Sequence, residues 1–452
     1  IQLVVTAILA RLLSPHEFGI IAICTVAIAF FQQFTDMGIG IAIVQRQDLS
    51  SIDYNHLFSF SIYFGILLSI VFIVASYPIA AFYDSSNLVI YMQLLSIQLL
   101  FSTFNMVPNA LIVKQKNFRF LAIRQVSIQV AMGVLACLAA FNGCGVYSLL
   151  ITPIFSSVFT FIVTFRANNL IFLPKFSLQP LRKIFSYSFY QLAFGIVNYF
   201  SRNLDKLLIG RYLNMSALGY YEKSYRLVLL PMQNITGVIN PIVQPILAEY
   251  QNDKVRLGGY LLKIVKTINL ICFPISVIGY FCASECIILF FGNQWWNAVP
   301  CFKILCISIG FQAANHITGA FFQVANSTKS LFWCGVVNSS IMIISLLIAL
   351  ICYENILSLA VSFSLAYFLN YILTYFYLFS IIFPNRIKDF LAGMIHPIGL
   401  SILLALVYSI SSFFVFHSTF LYSLIMKLTI ALIVISLYYR AIGFSPKHLF
   451  NK

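Results

Sequence analysis

Arg11-Leu-Leu-Ser-Pro-His-Glu-Phe-Gly19 ends one apolar run and opens the next, and Arg211-Tyr-Leu-Asn-Met-Ser-Ala-Leu-Gly219 does the same 200 residues later. Ile43-Val44-Gln45 returns as Ile242-Val243-Gln244. Asn105 followed by Ala110 returns as Asn315 followed by Ala320, now at an offset of 210. Each match is short, and apolar chains align by chance. Their common order, and their matching places between apolar runs, read as one architecture built twice.

The runs on either side of these motifs are long enough to cross a bilayer, which takes about 20 mostly apolar residues. Fourteen segments meet that criterion, near 1–13, 18–35, 57–81, 88–113, 121–141, 146–165, 187–213, 217–240, 257–281, 298–325, 331–351, 356–383, 391–416 and 420–440. The chain begins at Ile1 inside an apolar run, so the first segment reads as truncated. Six segments fall in each copy of the repeat. An even number gives both copies the same orientation, a parallel repeat about an axis along the membrane normal. The expected fold is an all-α polytopic membrane protein of two six-helix lobes plus a C-terminal helix pair. Its parts are an N-lobe over 1–165, a cytoplasmic linker over 166–186, a C-lobe over 187–383, and the added pair with its tail over 384–452. Two such bundles with a cleft between them suit a rocking type of alternating access.

Composition agrees. Of 452 residues, 61% are hydrophobic and 9% charged, with a mean hydropathy of +0.94. A soluble domain carries about 25% charged residues. These values exclude a water-soluble globule and exclude disorder. The 27 Lys and Arg against 12 Asp and Glu give a formal charge of +15. In an apolar chain that excess reads as the cytoplasmic charge bias of a membrane protein and not as a nucleic-acid footprint. The 10 Cys form no CxxC pair and no metal-ligand spacing with the 6 His, and they read as small buried hydrophobes. Cys144 alone lies in a short loop.

The connections test the count of segments. Alternate ones (14–17, 83–87, 142–145, 214–216, 282–297, 352–355 and 417–419) contain no Lys or Arg. The others, with the C-terminal tail, hold 16 of the 27 basic residues, among them Arg46, Lys114, Lys116, Arg119, Arg166, Lys254, Lys329 and Arg386. The basic side is cytoplasmic by the positive-inside rule, which places both termini there. No connection is long enough for a folded domain of about 50 residues. Soluble catalytic domains and large polymerase loops have no room. HExxH, G-x-S-x-G and P-loop motifs are absent, and Gly38-Ile-Gly40 lacks the strand and helix of a dinucleotide site. No enzyme activity is expected.

Charged residues inside the apolar segments carry the functional signal, because each costs at least ~2.5–3.5 kcal/mol in hydrocarbon unless it meets a cavity, a partner or the interface. The seventh segment holds Arg202, Asp205 and Lys206, and the eighth holds Glu222, Lys223 and Arg226. Positions three and four apart share a helix face, so each trio forms a stripe. Lys303 lies in the tenth segment, and Arg124, Lys263 and Lys266 open the fifth and ninth. The net positive surface favours an anionic ligand, and phosphate suits Arg because it is gripped in a bidentate way.

Simpler readings stand beside these. Arg11 and Arg211 sit where long side chains snorkel to the interface. Asp205 pairs internally with Arg202 or Lys206, or serves a coupling ion, and Glu222 offsets the cations beside it. Asp36 is either an ion-coupling carboxylate or a helix-terminal cap. Arg124 and Lys263 also fit the ordinary positive-inside pattern. Lys427 lies outside the repeat and reads as packing or headgroup contact. His316 and His396 read as packed histidines. Trp295 and Trp296 fit an interfacial belt.

The segments A-R-L-L-S-P-H-E-F-G (Ala10–Gly19) and D-M-G-I-G-I-A-I-V-Q-R (Asp36–Arg46) resemble the amino-terminal signature of Wzx-type polysaccharide flippases. N-L-D-K-L-L-I-G-R-Y-L (Asn203–Leu213) with A-L-G-Y-Y-E-K-S-Y-R-L (Ala217–Leu227) resembles their mid-chain signature. F-G-N-Q-W-W-N-A-V-P (Phe291–Pro300) looks like the periplasmic loop of the colanic-acid-exporter branch. The family belongs to the multidrug/oligosaccharidyl-lipid/polysaccharide exporter superfamily. The resemblance implies a transporter that moves an undecaprenyl-diphosphate-linked oligosaccharide, an O-antigen or exopolysaccharide unit, from the cytoplasmic to the periplasmic leaflet of the bacterial inner membrane. It implies a cationic cavity, no cofactor, and in some members H⁺ or Na⁺ coupling. Lipid-linked oligosaccharide and membrane lipid are the implied partners, with a glycan polymerase and a chain-length regulator nearby in the pathway. The Tyr212-Leu-Asn-Met-Ser216 variant departs from the family pattern, but it lies in a turn.

The expected diphosphate ligands are therefore Arg202, Lys206, Arg226, Arg124 and Lys263, with Asp205, Asp36 and Glu222 as coupling or structural charges. A multidrug antiporter of the same superfamily is the alternative. It predicts acidic interiors for its cationic substrates, which Arg202, Lys206 and Arg226 oppose. A membrane glycan polymerase or glycosyltransferase is a weaker alternative, for want of a large loop or soluble domain.

Overall fold

A computed structural model describes residues 2–36, 39–46, 48–175, 177, 196, 199–200, 202–251, 253–383, 386–414 and 420–443. All regular structure among them is helical. In chain order the helices are α1 (Gln2–Leu12), α2 (Pro15–Asp36), α3 (Ile39–Gln45), α4 (Ser51–Phe82), α5 (Asn87–Phe104), α6 (Met106–Lys114), α7 (Phe118–Phe141), α8 (Val146–Arg166), α9 (202–212) and α10 (Met215–Ala248). They continue as α11 (Lys254–Phe281), α12 (Ala283–Phe291), α13 (Val299–Ile307), α14 (Ile309–Val324), α15 (Thr328–Tyr353), α16 (Ile356–Tyr377), α17 (Ile387–Phe414) and α18 (Phe420–Ala441). A 3₁₀ helix, Asn293–Ala298, precedes α13, and a π-helix, Leu378–Ile382, ends α16.

Ten helices among the described residues are long and apolar enough to cross a membrane, or 11 when the pair bent by 49° around Ser308 counts as one span. The expected 14 segments are not all matched, for three identifiable reasons. α1 has 11 residues. In the segment 187–213, residues 187–195, 197–198 and 201 lie outside the described residues, which leaves α9 with 202–212. α10 mixes its apolar residues with Glu222, Lys223 and Arg226 and, further on, with Gln233, Asn234, Asn240 and Gln244. The bend in the tenth segment is held from outside by Ser276 Oγ of α11, which accepts the Gly310 N–H at 3.1 Å, and from within by Gln312 Nε2, which donates to Ser308 Oγ at 2.6 Å. In hydrocarbon a backbone group released by a break has to find such a partner.

Helix starts follow local chemistry. Ser14 and Glu17 form a capping box on α2: Glu17 Oε2 accepts from Ser14 N–H at 2.7 Å and from Ser14 Oγ at 2.9 Å, with Pro15 in the first turn. Asn214, which is 200 residues on, caps α10 through its Oδ1, accepting the Ala217 N–H at 2.7 Å. The two repeat motifs are thus the same device, a short turn and a capped helix start. Ser50 and Asp53 cap α4 in the same reciprocal way.

By internal packing the chain divides into Ile1–Gly219 and Tyr220–Lys452, with α10 starting in the first unit and continuing through the second. In the first unit, Ile39, Ile43, Leu57, Phe58, Val107 and Leu170 form a buried cluster joining α3, α4 and α6. After α8 the chain runs back along α4. Ile171 N–H donates to Asn55 Oδ1 (3.0 Å), Leu173 N–H to Ser59 Oγ (2.7 Å), and Tyr63 OH to Pro174 O (3.1 Å). These α4 residues are four apart and so share one face. Residues that the sequence groups with the C-lobe also pack in this unit: Tyr199 OH donates to Val26 O at 2.5 Å, and Tyr83 OH to Leu207 O at 3.4 Å.

The two repeat motifs approach each other closely. A Cβ on Gly19 would stand 1.7 Å from the Met215 carbonyl oxygen, and one on Gly219 would stand 2.0 Å from the Pro15 carbonyl oxygen. Gly19 and Gly219 are repeat counterparts, and so are Pro15 and Met215. The contact is reciprocal: each glycine leaves room for the other motif's backbone, which no side chain would allow.

In the second unit the C-terminal pair packs on α11 through Leu270, Leu400, Leu404, Tyr408 and Ala431. Tyr439 OH donates to Leu270 O at 2.9 Å, and Tyr408 stacks on Phe281 with ring centroids 5.2 Å apart. Across α15 and α16, Asn338 Nδ2 donates to Thr374 Oγ1 (3.0 Å) and Asn370 Nδ2 to Asn338 O (3.1 Å). Such small polar ladders join helices where burial of apolar surface supplies no drive.

Candidate functional site

The expected ligand residues fall on four helices. α9 carries Arg202 exposed, Asp205 buried at 3% exposure and Lys206 half-buried. Asp205 Oδ1 accepts the Lys206 backbone N–H at 2.8 Å. One stripe by spacing is therefore two environments in space, with the carboxylate inside and Arg202 outside. α10 carries Glu222 and Arg226 half-buried, and Lys223 buried at 5% exposure between Tyr221 and Ser224, which are fully covered. Lys263 and Lys266 are exposed on α11. Arg202, Arg226, Lys263 and Lys266 make no hydrogen bond or ion pair with their side-chain donors among the described residues. Their donors are uncommitted, the condition an incoming anion requires.

Arg124 differs. Its Nη1 donates to Asn109 Oδ1 on α6 at 3.1 Å and to Thr164 Oγ1 on α8 at 2.7 Å. Its Nε is buried without a hydrogen-bond partner. The guanidinium thus ties three helices together, through neutral partners that leave its charge uncompensated. Asp36 is the last residue of α2, and Met37 and Gly38 after it lie outside the described residues.

Other charges are spent on structure. Arg211 pairs with Asp84 in the α4–α5 turn and lies over the Phe82 ring, 5.1 Å from its centroid. Lys114 donates to Arg46 O and, at 2.9 Å, to Tyr54 OH. Lys303 sits over Tyr280 at 5.8 Å. Lys427 pairs with Glu285 and donates to Phe281 O at 2.8 Å, while Ser423 Oγ donates to Glu285 Oε1 at 2.8 Å. The packing role expected for Lys427 has a partner that sequence reading missed. Glu285 lies in a connection read as loop, and its one signal was being the only charge between Lys266 and Lys303. Trp295 is fully buried against Phe291 and Tyr220, so only Trp296, at 57% exposure, is placed as an interfacial belt requires.

The second unit also contains an apolar groove of about 780 Å³ between α11, α14, α16 and α17. Phe273, Phe311, Phe368, Tyr371, Phe390 and Met394 line it. At its wall Asn269 Nδ2 donates to Tyr371 OH at 2.9 Å, while Asn269 Oδ1 is buried with no partner. The repeat-related Asn105 and Asn315 also bury side-chain carbonyl oxygens without partners. Among the described residues no group of acidic, His and Cys side chains is placed to hold a metal.

The chain is similar to proteins named for the biosynthesis of polysaccharides. It is 29% identical over 313 residues to the teichuronic acid biosynthesis protein TuaB of Bacillus subtilis (strain 168), covering 68% of this chain and 64% of that protein. It is 25% identical over 317 residues to the lipopolysaccharide biosynthesis protein WzxC of Escherichia coli (strain K12), covering 68% of this chain and 62% of that one. The matched stretch spans less than two thirds of either relative. In fold it is similar to the lipid II flippase MurJ in an inward closed conformation, with a TM-score of 0.77, 14% identity and 98% of each chain covered. Residues 8–300, well over half of the chain, match the profile of the polysaccharide biosynthesis protein family, and the chain belongs to that family.

Proposed function

We propose that this multi-pass membrane protein flips an undecaprenyl-diphosphate-linked oligosaccharide between leaflets by alternating access. The observation that carries the reading is the set of uncommitted cations, Arg202, Arg226 and Lys263, on helices of a chain that is 61% hydrophobic. A diphosphate is the ligand such groups select, since guanidinium forks match its oxygens. Family membership supports a saccharide on that phosphate. The prenyl chain stays in the bilayer, and the apolar groove beside α17 offers it a lateral recess. The membrane is the bacterial inner membrane, with both termini cytoplasmic. Asp36, Asp205 and Glu222 are the carboxylates available for H⁺ or Na⁺ coupling. A glycan polymerase and a chain-length regulator would receive the product.

The test is genetic and chemical. Deleting the gene is expected to make lipid-linked repeat units accumulate inside the cell. Complementation with R202A or R226A, at unchanged protein level in the membrane, is expected to leave that accumulation in place. Normal surface glycan with both variants would remove these residues from the site.

A further inference from the structure

The 3₁₀ helix Asn293–Ala298 lies between α12 and α13, on the side whose connections contain no Lys or Arg. A 3₁₀ helix has three residues per turn, so side chains at i and i+3 stack in columns. Trp295 and Ala298 form one column, and both are fully buried. Asn293 and Trp296 form the second, and Gln294 and Asn297 the third; all four are exposed. The turn is pinned from beneath. Trp295 packs between Phe291 and Tyr220, and the Ala298 carbonyl accepts Ser224 Oγ at 3.2 Å. The entry into the turn uses Gly292 at φ +94°, a conformation that glycine adopts without strain. The side-chain amides of Asn293 and Asn297 have no partner among the described residues.

We propose that this turn is a saccharide-contacting platform, with Trp296 as the stacking face and Asn293 and Asn297 as the hydroxyl-reading groups. An indole offers a flat apolar surface that matches the C–H face of a sugar ring. An amide both donates and accepts, as hydroxyl groups require. From Cys286 to Phe302 the chain carries no charged residue, which fits a neutral sugar better than a phosphate. The inference rests on the flippase reading, for which this is the product side, where the saccharide emerges with its diphosphate and lipid still attached.

The probe is the repeat-unit oligosaccharide freed by mild acid from the host's own lipid-linked pool. It is titrated onto the full chain in nanodiscs and followed by saturation-transfer NMR. Binding is expected in the natural protein, with affinity falling on the order of tenfold in W296A and in N293A/N297A, and largely kept in W296F. Trp296 is exposed, so W296A should remain folded, which its gel-filtration profile checks. Absence of binding to the natural protein, or unchanged binding in both variants, overturns the platform. So does the emission of a W295F/W333F variant, in which Trp296 is the remaining tryptophan, if brominated lipid quenches it and the sugar leaves it unchanged, which makes the residue a membrane anchor. Failure of the flippase reading shows separately, as a gene deletion that accumulates no lipid-linked units.

Discussion

Lys427 and Glu285 show how one residue pair can decide the placement of a helix. Lys427 lies seven residues into α18, and its ammonium reaches Glu285 on α12 and the end of α11. Removing one member of a buried pair leaves an uncompensated charge, at about 3–5 kcal/mol. K427A is therefore expected to lower the unfolding midpoint in detergent sharply, and the double variant E285Q/K427M to recover much of it; fluorescence-detected size-exclusion after heating reads both. Arg124 calls for a different comparison. R124A deprives Asn109 and Thr164 of their shared donor, a loss of about 1–3 kcal/mol. R124K keeps the charge without the fork. If Arg124 only ties α6 to α8, transport in both variants should follow stability. Transport lost in R124K at full stability would assign it a substrate contact.

At the scale of elements, the reciprocal glycine contact sets how the first turns of α2 and α10 meet. The backbones approach so closely that a single methyl at Gly19 would overlap the Met215 carbonyl. Close-packed helices cannot absorb that overlap without moving. G19A and G219A are each expected to abolish transport or to reduce the yield of folded protein. Because both strike one contact, the double variant is expected to be little worse than either single one. Glycan display together with membrane protein level measures this. A fully active G19A variant would show that the two turns part more readily than their contact indicates. The capped starts of these helices come from side chains within three residues, so they were available to local reading. The contact between them joins residues 200 apart.

For the whole molecule, apolar content and loop charge were enough to give an all-helical membrane protein. Each of those signals is a local or summed property. A helix in lipid satisfies its own backbone, so hydropathy along the chain translates directly into spans. The charged stripes of the seventh and eighth segments were legible for the same reason. Their division was not: Asp205 and Lys223 turn inward while Arg202 turns outward, and helical spacing fixes only angles about the axis. Likewise, sequence alone could count Glu285 as a loop carboxylate, Trp295 as a belt residue and Arg124 as one more positive-inside cation. Only the tertiary structure decided that the first neutralises Lys427, the second anchors a 3₁₀ turn, and the third bridges three helices. The sequence by itself therefore determined that this chain is an all-helical membrane protein bearing an excess of cations. Which cations stay open to a ligand and which are consumed in packing was decided by contacts between residues far apart in the chain, where partner and distance, not residue type, set the energy.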